Sequence, residues 1–203
     1  STLLASSAAS DVYKRQKIQI QQEYGAIYED DFWKKQYDGK HGYEILADNT
    51  VEELKHIHAV YDLAKEQGDI TDSSYEALEK RWKDENAERS EKVEKGEVIY
   101  GLKEYTFQLY LDYEISTLKE KYCNDTNREG MKLTEDEIQE HYQSREWIFG
   151  DSDENADLEM ARIAVERELR EQKYDDMITQ RETGSQVAGN MENVNRITLK
   201  NIQ

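Results

Sequence analysis

The sequence holds four histidines and one cysteine, the residue types that most often bind metals or act as nucleophiles and bases. His56 and His58 lie two residues apart in a predicted helix, where their side chains diverge by about 200° and cannot hold one metal ion together. His141 follows Glu137 by four residues, a common surface pair, with no third ligand near it in the sequence. His41 lies in a glycine-bounded loop without a predicted partner. The histidines therefore predict no metal site.

The sequence gives no support for nucleophilic or acid–base catalysis either. Cys123 is alone, so an intrachain disulfide is impossible, and its neighbours Asn124 and Asp125 predict a raised thiol pKa rather than an activated thiolate. The acidic pairs lack the glycine and the final glutamate of a calcium loop. The sequence contains no glycine-rich phosphate loop, nucleophile elbow or zinc signature. We expect no catalytic residue and no bound cofactor or metal.

The charge of the chain narrows the class of partner. The net charge is −18, so nucleic-acid phosphates and anionic membrane surfaces would be repelled rather than bound. No apolar run is long enough to span a bilayer. A basic partner, or an unfolded polypeptide kept soluble by a like-charged carrier, fits this composition better. We expect polypeptide partners and no nucleic acid.

The elements that would carry these residues are mainly α-helical. The chain has no proline, and hydrophobic and charged residues are nearly balanced at 36% and 35%, which favours long helices around a thin core. Ile18 and Ile20 are interpreted as the end of one helix. Residues 38–42 predict a loop, and apolar residues at three- and four-residue steps predict a helix that starts at Asn49-Thr50 and stops before Gly68.

The next predicted helix runs over residues 72–95 and stops at Gly96. Its apolar stripe ends at Trp82, and beyond that residue almost every side chain is charged. Glutamate precedes lysine by four residues at several positions, an order that supports a helix with little packing. The pairs are Glu76–Lys80, Glu79–Lys83, Glu88–Lys92 and Glu91–Lys95. We interpret residues 83–101 as an arm that leaves the core; the alternative is a surface helix that lies flat.

The second half predicts three more helices and a frayed end. Residues 96–101 indicate a short extended hinge, followed by a helix from Phe107 to Tyr122 and a turn over residues 124–130. Thr134 and Glu137 form a predicted capping box. The remaining predicted features are a helix with Ile138, Tyr142 and Trp147, an acidic loop at 150–155, a long helix at 156–182, a polar linker at 184–193 and a short terminal β-strand at Ile197–Leu199.

The first sixteen residues are interpreted separately. Residues 6–16 (SSAASDVYKRQ) match the translation of a transposon-tagmentation sequencing adapter, and a weaker alternative is the tail of a secretion signal. We expect residues 1–16 to be non-native and residues 17–203 to form a single helical domain.

Several strings resemble one chaperone superfamily. They are residues 21–25 (QQEYG), 30–33 (DDFW), 63–68 (LAKEQG), 96–101 (GEVIYG), 133–142 (LTEDEIQEHY) and 165–175 (VERELREQKYD). Together they resemble exported foldase-like proteins of Gram-positive bacteria in the SurA N-terminal/PrsA/trigger-factor superfamily. The resemblance implies an elongated multi-helix chaperone body with a projecting arm and a returning helix at 156–182.

The resemblance also implies what is missing. Family members with isomerase activity insert a parvulin domain before the returning helix, between the positions of Trp147 and Ala156 here, where only a short loop is available. The family's N-terminal strand and lipoprotein cysteine are absent too, which we attribute to the adapter truncation. The strand at Ile197–Leu199 would then lack its partner and be frayed or helical.

The resulting hypothesis is an extracytoplasmic holdase or foldase-like module, anchored as a lipoprotein in its full-length form, that binds unfolded or exported polypeptides. The chain has fourteen tyrosines and three tryptophans, more than a thin core needs, so some should lie on accessible faces; the alternative is that they pack between helices. The candidate client-binding residues are Phe32, Trp33, Tyr37, Trp82, Phe107 and Tyr110. The alternatives are a divergent peptidyl-prolyl isomerase and an adaptor that docks through its charged arm.

Overall fold

The computed structural model describes residues 7–24 and 31–184, and this part of the chain is mainly helical, as predicted. Its α-helices are α1 (Ser7–Glu23), α2 (Gly42–Glu66), α3 (Tyr75–Glu94), α4 (Phe107–Asn124), α5 (Glu135–Gln143) and α6 (Leu158–Thr183). A short 3-10 helix, Phe32–Lys34, and two antiparallel strands, β1 (Gln36–Tyr37) and β2 (Lys40–His41), lie between α1 and α2. The predicted linker at 185–193 and the predicted strand at Ile197–Leu199 lie outside the described residues.

The chain divides into two compact units. The first contains the described residues up to Tyr113, joined by those from Glu182 onward, and the second contains Glu114–Arg181. The boundary falls inside α4, so the two parts of this helix belong to different units. The single domain over residues 17–203 stays a prediction.

Helices α1 and α2 supply the main core of the first unit. Ile20 from α1 packs with Leu46 from α2 and with Phe32 and Trp33 from the segment between them, and all four side chains are buried. Val12 packs separately against Leu54, also on α2. Residues 7–16 thus lie within α1, and their origin in an adapter sequence stays a prediction.

The start of α2 corrects the sequence analysis. Asp38 and Gly39 form the predicted turn, with φ of 49° and 84°, which lets β1 and β2 pair in a tight hairpin. The helix then begins at Gly42, seven residues before the predicted Asn49-Thr50 start, because the Glu44 carboxylate accepts the backbone N–H of His41 at 2.8 Å. Thr50 lies inside the helix, where its hydroxyl donates to the Leu46 carbonyl.

Gly42 is required by the close approach of the preceding segment. A Cβ at this position would lie 2.9 Å from the backbone carbonyl oxygen of Phe32 and 3.1 Å from the Cα of Trp33. Both obstacles are backbone atoms that cannot rotate away, so the first residue of α2 must be a glycine for the 3-10 helix to pack against it.

Helix α3 confirms the predicted helix over residues 72–95. The Ser74 side chain caps its start by accepting the N–H of Ala77. Three of the four predicted pairs form, namely Glu79–Lys83, Glu88–Lys92 and Glu91–Lys95, while Lys80 instead contacts Asp84. These exposed pairs are each worth a few tenths of a kcal/mol, so they support the helix without fixing its position.

The second unit has a small core of its own. The predicted capping box is confirmed, since Thr134 and Glu137 exchange backbone and side-chain hydrogen bonds at the start of α5. Ile138 packs there with Trp147, Ala161 and Val165. The predicted place of Trp147 on this helix is wrong, because α5 ends at Gln143 and Trp147 enters the core from the following loop.

That loop is closed by backbone contacts. The Ala156 N–H donates to the Trp147 carbonyl at 2.8 Å, and the Trp147 N–H donates to the Asn155 side chain at 2.6 Å. Two residues on either side of the predicted insertion point are therefore bonded directly, and α6 follows at Leu158. The predicted acidic loop and the long helix after it are both confirmed, and the family role of that helix stays a prediction.

Candidate functional site

The first three candidate aromatic residues lie in one cluster. Phe32 stacks edge-on against Trp33 at 4.7 Å between ring centroids and lies 5.0 Å from Tyr37. Phe32 and Trp33 are each only 5% exposed, and Tyr37 is half-buried. The expected accessible position of Phe32 and Trp33 is wrong, because both rings fill the core beside Ile20 and Leu46. We call Ile20, Phe32, Trp33, Tyr37 and Leu46 the Phe32 cluster.

The other three candidates lie around α3 and α4. Trp82 packs edge-on against Phe107 at 5.5 Å, and both rings are half-buried. Tyr110 is 5% exposed, so its expected accessible position is wrong as well; its ring lies 6.4 Å from that of Tyr105. These residues support the segment that joins α3 to α4 instead of forming the outer surface themselves.

The joining segment, residues 97–106, lies along α3 and is here called the strap. Asn86 binds both backbone groups of Tyr105, accepting its N–H at 2.8 Å and donating to its carbonyl at 2.9 Å. The Trp82 indole N–H donates to the same carbonyl at 2.7 Å. Arg89 donates to the carbonyls of Tyr100 and Leu102 at 3.0 and 2.8 Å. One edge of the strap is thus bound by three side chains of α3.

The Tyr105 ring strengthens this attachment. The Arg89 guanidinium lies over the ring at 4.6 Å, and the Tyr113 ring is stacked on it at 5.2 Å. Asn86 and Arg89 were not predicted to make these contacts, because α3 beyond Trp82 was interpreted as a charged arm. A sequence signal for these contacts was present, because positions 82, 86 and 89 follow one another at steps of four and three and therefore share one helix face.

The strap leaves its apolar side chains outside. Val98, Tyr100 and Leu102 are 77%, 87% and 48% exposed, and they occupy every second position. Residues 97–100 are extended, so Val98 and Tyr100 lie on one face, and Gly101 separates Leu102 from this stretch. Leu109 and Tyr113 on α4 are exposed as well. A group of large exposed apolar residues on so acidic a chain marks a candidate interaction surface.

The strap also has unused backbone donors. None of the seven backbone N–H groups from Val98 to Glu104 forms a hydrogen bond within residues 7–24 and 31–184. Gly101 has φ of 80°, which places a bend in the middle of the segment. The stretch before this bend, residues 97–100, is extended and has free donors from Val98 onward, the form in which a chain can pair with another strand.

The second unit has its own exposed apolar residues. Ile148 and Phe149 lie in the loop before α6, and Met160 and Ile163 lie on α6 with exposures of 70% and 84%. A groove of about 610 Å³ between α6 and the last turns of α4 is lined largely by charged side chains and by Cys123. Burial raises the pKa of the Cys123 thiol to about 11, so the predicted direction is confirmed but the main cause is burial rather than acidic neighbours.

The histidines form side-chain pairs with single carboxylates. His41 corrects the sequence analysis, because it is the N-cap of α2 and its Nδ1 lies 2.8 Å from Glu44. The other pairs are His56 with Glu182, His58 with Asp62 and His141 with Glu168. In the part of the chain that the structure describes, no group of three His, Cys, Asp or Glu side chains is arranged to hold a metal ion.

None of the described helices is both long enough and apolar enough to span a bilayer.

Comparison with known proteins adds one relative. No described protein family matches the chain, and no solved structure matches it. Over 165 residues, 81% of its length, the chain is 30% identical to a protein of Bifidobacterium longum subsp. longum named chaperone for lacto-N-biosidase. The chain spans 59% of the length of that relative. The sequence is therefore similar to that of a bacterial protein named for its chaperone role toward one enzyme.

Proposed function

We propose that this chain is a chaperone module that binds a partner polypeptide while that partner folds. The observation that carries the proposal is the exposed apolar strap, with Val98 and Tyr100 more than three-quarters exposed on a chain of net charge −18. A folded chain that binds no partner gains nothing from keeping such side chains in water. The similarity to a named chaperone supports the same role.

The physical mechanism is reversible apolar contact. Exposed aliphatic and aromatic side chains on the chaperone cover apolar segments that the client has not yet buried, and each covered square ångström lowers the free energy by about 25 cal/mol. The negative charge of the chaperone keeps the complex soluble, because complexes of the same sign repel one another. Release follows when the client buries those segments in its own core.

The proposed client is an exported enzyme of the class named for the relative, lacto-N-biosidase or a protein like it. This choice rests on the similarity alone. The resemblance to the SurA N-terminal/PrsA/trigger-factor superfamily supports an extracytoplasmic location and a lipoprotein anchor as part of the same proposal. The isomerase alternative stays a prediction, to be tested by turnover of a proline peptide.

The test is the yield of active client. Lacto-N-biosidase from the organism of the relative is produced alone, with this chain, and with an acidic helical protein of similar size and charge. We expect only this chain to raise the amount of soluble, active enzyme. Equal yields with this chain and with the control protein would contradict the proposal. A parallel assay with an unrelated aggregating enzyme distinguishes a dedicated chaperone from a general one.

A further inference from the structure

We propose that the strap is a docking edge for an extended client segment that is apolar at alternate positions and flanked by lysine or arginine. The client segment would pair with the strap through main-chain hydrogen bonds. This inference rests on the proposed chaperone function and specifies the surface and the chemistry of the client segment that it binds.

The strap is held in place before any partner arrives. Arg89 binds the carbonyls of two alternate residues, Tyr100 and Leu102, and Asn86 binds both backbone groups of Tyr105. These contacts come from side chains of α3, a regular helix of 20 residues. A partner that pairs with the strap therefore does not have to order it first, which removes a large part of the entropic cost of docking.

The open backbone groups suit an added strand. The bonds to α3 use the carbonyls of Tyr100 and Leu102, whereas the N–H and C=O groups of Ile99 and Gly101, the residues on either side of Tyr100, form no hydrogen bond to any described residue. An edge with one side satisfied and the other open is the arrangement in which an extended peptide adds to a sheet edge. Main-chain pairing tolerates many client sequences, as a folding chain requires.

The side chains set a preference for apolar clients. Val98, Tyr100 and Leu102 stand at every second position and are all exposed. A strand paired along residues 97–100 places its own alternate side chains beside Val98 and Tyr100, and Leu102 adds apolar surface beyond the bend at Gly101. Both sets of side chains leave water on binding. Segments of this kind belong to the interior of a folded protein and are accessible only before it folds.

Charge specifies the flanks of the client segment. Three glutamates between residues 94 and 104 form no salt bridge with a described residue, namely Glu94, Glu97 and Glu104. Lys103 is the one basic residue of the same stretch that forms no salt bridge with a described residue. Lys95 is already paired with Glu91. The surroundings of the strap are thus negative, and basic residues at the ends of the client segment would be attracted to them.

The same charge argues against a second copy of this chain as the occupant. Two copies would each bring a net charge of −18 and the same acidic flanks to the contact. Like charges that face each other across an interface oppose association. A client segment with basic flanks has no such penalty, so we assign the strap to the client.

The experiment uses the whole chain and three short synthetic peptides. One alternates Val and Thr between pairs of lysines, the second replaces the lysines with aspartates, and the third methylates alternate backbone nitrogens of the first. We expect the lysine peptide to bind and to slow amide exchange at residues 98–104. The other two peptides should bind at least about tenfold more weakly, because each lacks one of the two proposed interactions.

Variants separate this inference from the proposed function. The strap variant carries Val98→Ser, Tyr100→Ser and Leu102→Ser, and the control variant carries Met160→Ser and Ile163→Ser on α6. We expect the strap variant to lose peptide binding and client rescue while the control variant keeps both. Rescue by the strap variant at the level of the unmodified chain would overturn the docking assignment and leave the chaperone function standing. Failure of the unmodified chain to rescue any client would instead overturn the function.

Two further outcomes would each contradict the proposed docking of a client strand on the strap. Equal binding of the lysine peptide and its methylated form would exclude main-chain pairing, since the methylated peptide cannot donate those hydrogen bonds. Sedimentation of the unmodified chain as a dimer that the strap variant cannot form would assign the strap to self-association and overturn the inference.

Discussion

The first unit contains two aromatic-rich regions that are built in opposite ways. In the Phe32 cluster the rings turn inward, and Phe32 and Trp33 are nearly inaccessible beside Ile20 and Leu46. In the strap the backbone turns toward α3 and is bound by polar side chains, so that Val98 and Tyr100 remain in water. Similar residue types are thus buried in one region and exposed in the other, according to whether the side chains or the backbone of the segment contact the rest of the fold.

The largest loss of unfolding free energy should follow from truncating a buried side chain of the Phe32 cluster. Replacing Trp33 with alanine removes a buried indole and leaves a cavity, and such changes typically cost about 3–5 kcal/mol of unfolding free energy. Tyr100→Ala is the matched control, because this aromatic residue is 87% exposed. Urea unfolding followed by far-UV circular dichroism measures both. If the two variants lose similar amounts of stability, the proposed division between the two regions is wrong.

A smaller effect should follow from releasing one attachment of the strap. Arg89→Lys keeps a positive charge, but its single nitrogen cannot reproduce the fork in which Arg89 binds Glu85 through Nε and both carbonyls through a second nitrogen. We expect a loss of about 1–2 kcal/mol, confined to the strap and the adjoining turn of α3. Amide exchange should become faster at Tyr105 and should stay unchanged in the Phe32 cluster.

The control for this variant is Lys83→Arg, a swap of the same two residue types on the same helix at an exposed position paired with Glu79. It should change neither exchange rates nor unfolding. A uniform acceleration of exchange across the first unit in Arg89→Lys would show that the strap is part of the main core rather than an attached edge.

The sequence predicted the helices better than it predicted the Phe32 cluster or the strap. Helical periodicity and the Thr134–Glu137 capping box predicted α3, α5 and α6, because these signals act between residues three or four apart. The start of α2 was missed although its cap is equally local, because histidine is not one of the usual capping residues. Its cap uses His41 and Glu44, whereas Asn49-Thr50 offered the more usual capping residues inside the helix.

The attachment of the strap was beyond this kind of prediction. Asn86 and Arg89 bind backbone groups that lie 11 to 19 residues away along the chain, and a backbone carbonyl leaves no trace in the sequence. Polar residues on a charged helix therefore appeared to face solvent. Likewise, the types of the aromatic residues could not indicate that Phe32 and Trp33 face inward while Tyr100 faces outward.

Acid should distinguish the strap from the capping box of α5. The Lys173 ammonium and the Thr134 N–H hold the pKa of Glu137 at about 2, below its usual value of 4.5. Because the pKa is lower in the folded state, this carboxylate adds stability above about pH 4.5 that is lost as the pH falls toward 2. The strap is bound by an amide, an indole and a guanidinium, which do not titrate in this range.

We therefore expect Glu137→Gln to reduce the drop in Tm between pH 5 and pH 2 relative to the unmodified chain, by a few degrees at most because solvent screens this half-buried carboxylate. Over the same pH range, the protection of the Tyr105 amide against exchange should stay constant relative to that of the α3 amides. The comparison is made by thermal unfolding of both proteins at each pH. Identical pH profiles would show that the cap does not titrate as the structure indicates.

The smallest effect on stability should come from the strap variant itself. Val98, Tyr100 and Leu102 are exposed, and substitutions at such positions usually change unfolding free energy by no more than about 0.5 kcal/mol each. Urea unfolding of the strap variant and of the Met160→Ser, Ile163→Ser control should thus give nearly the same midpoint as the unmodified chain. A large loss would mean that these side chains pack against the fold and are not available to a client. A negligible loss combined with lost client rescue would mean that the fold keeps three large apolar side chains in water for binding, since they contribute nothing measurable to its own stability.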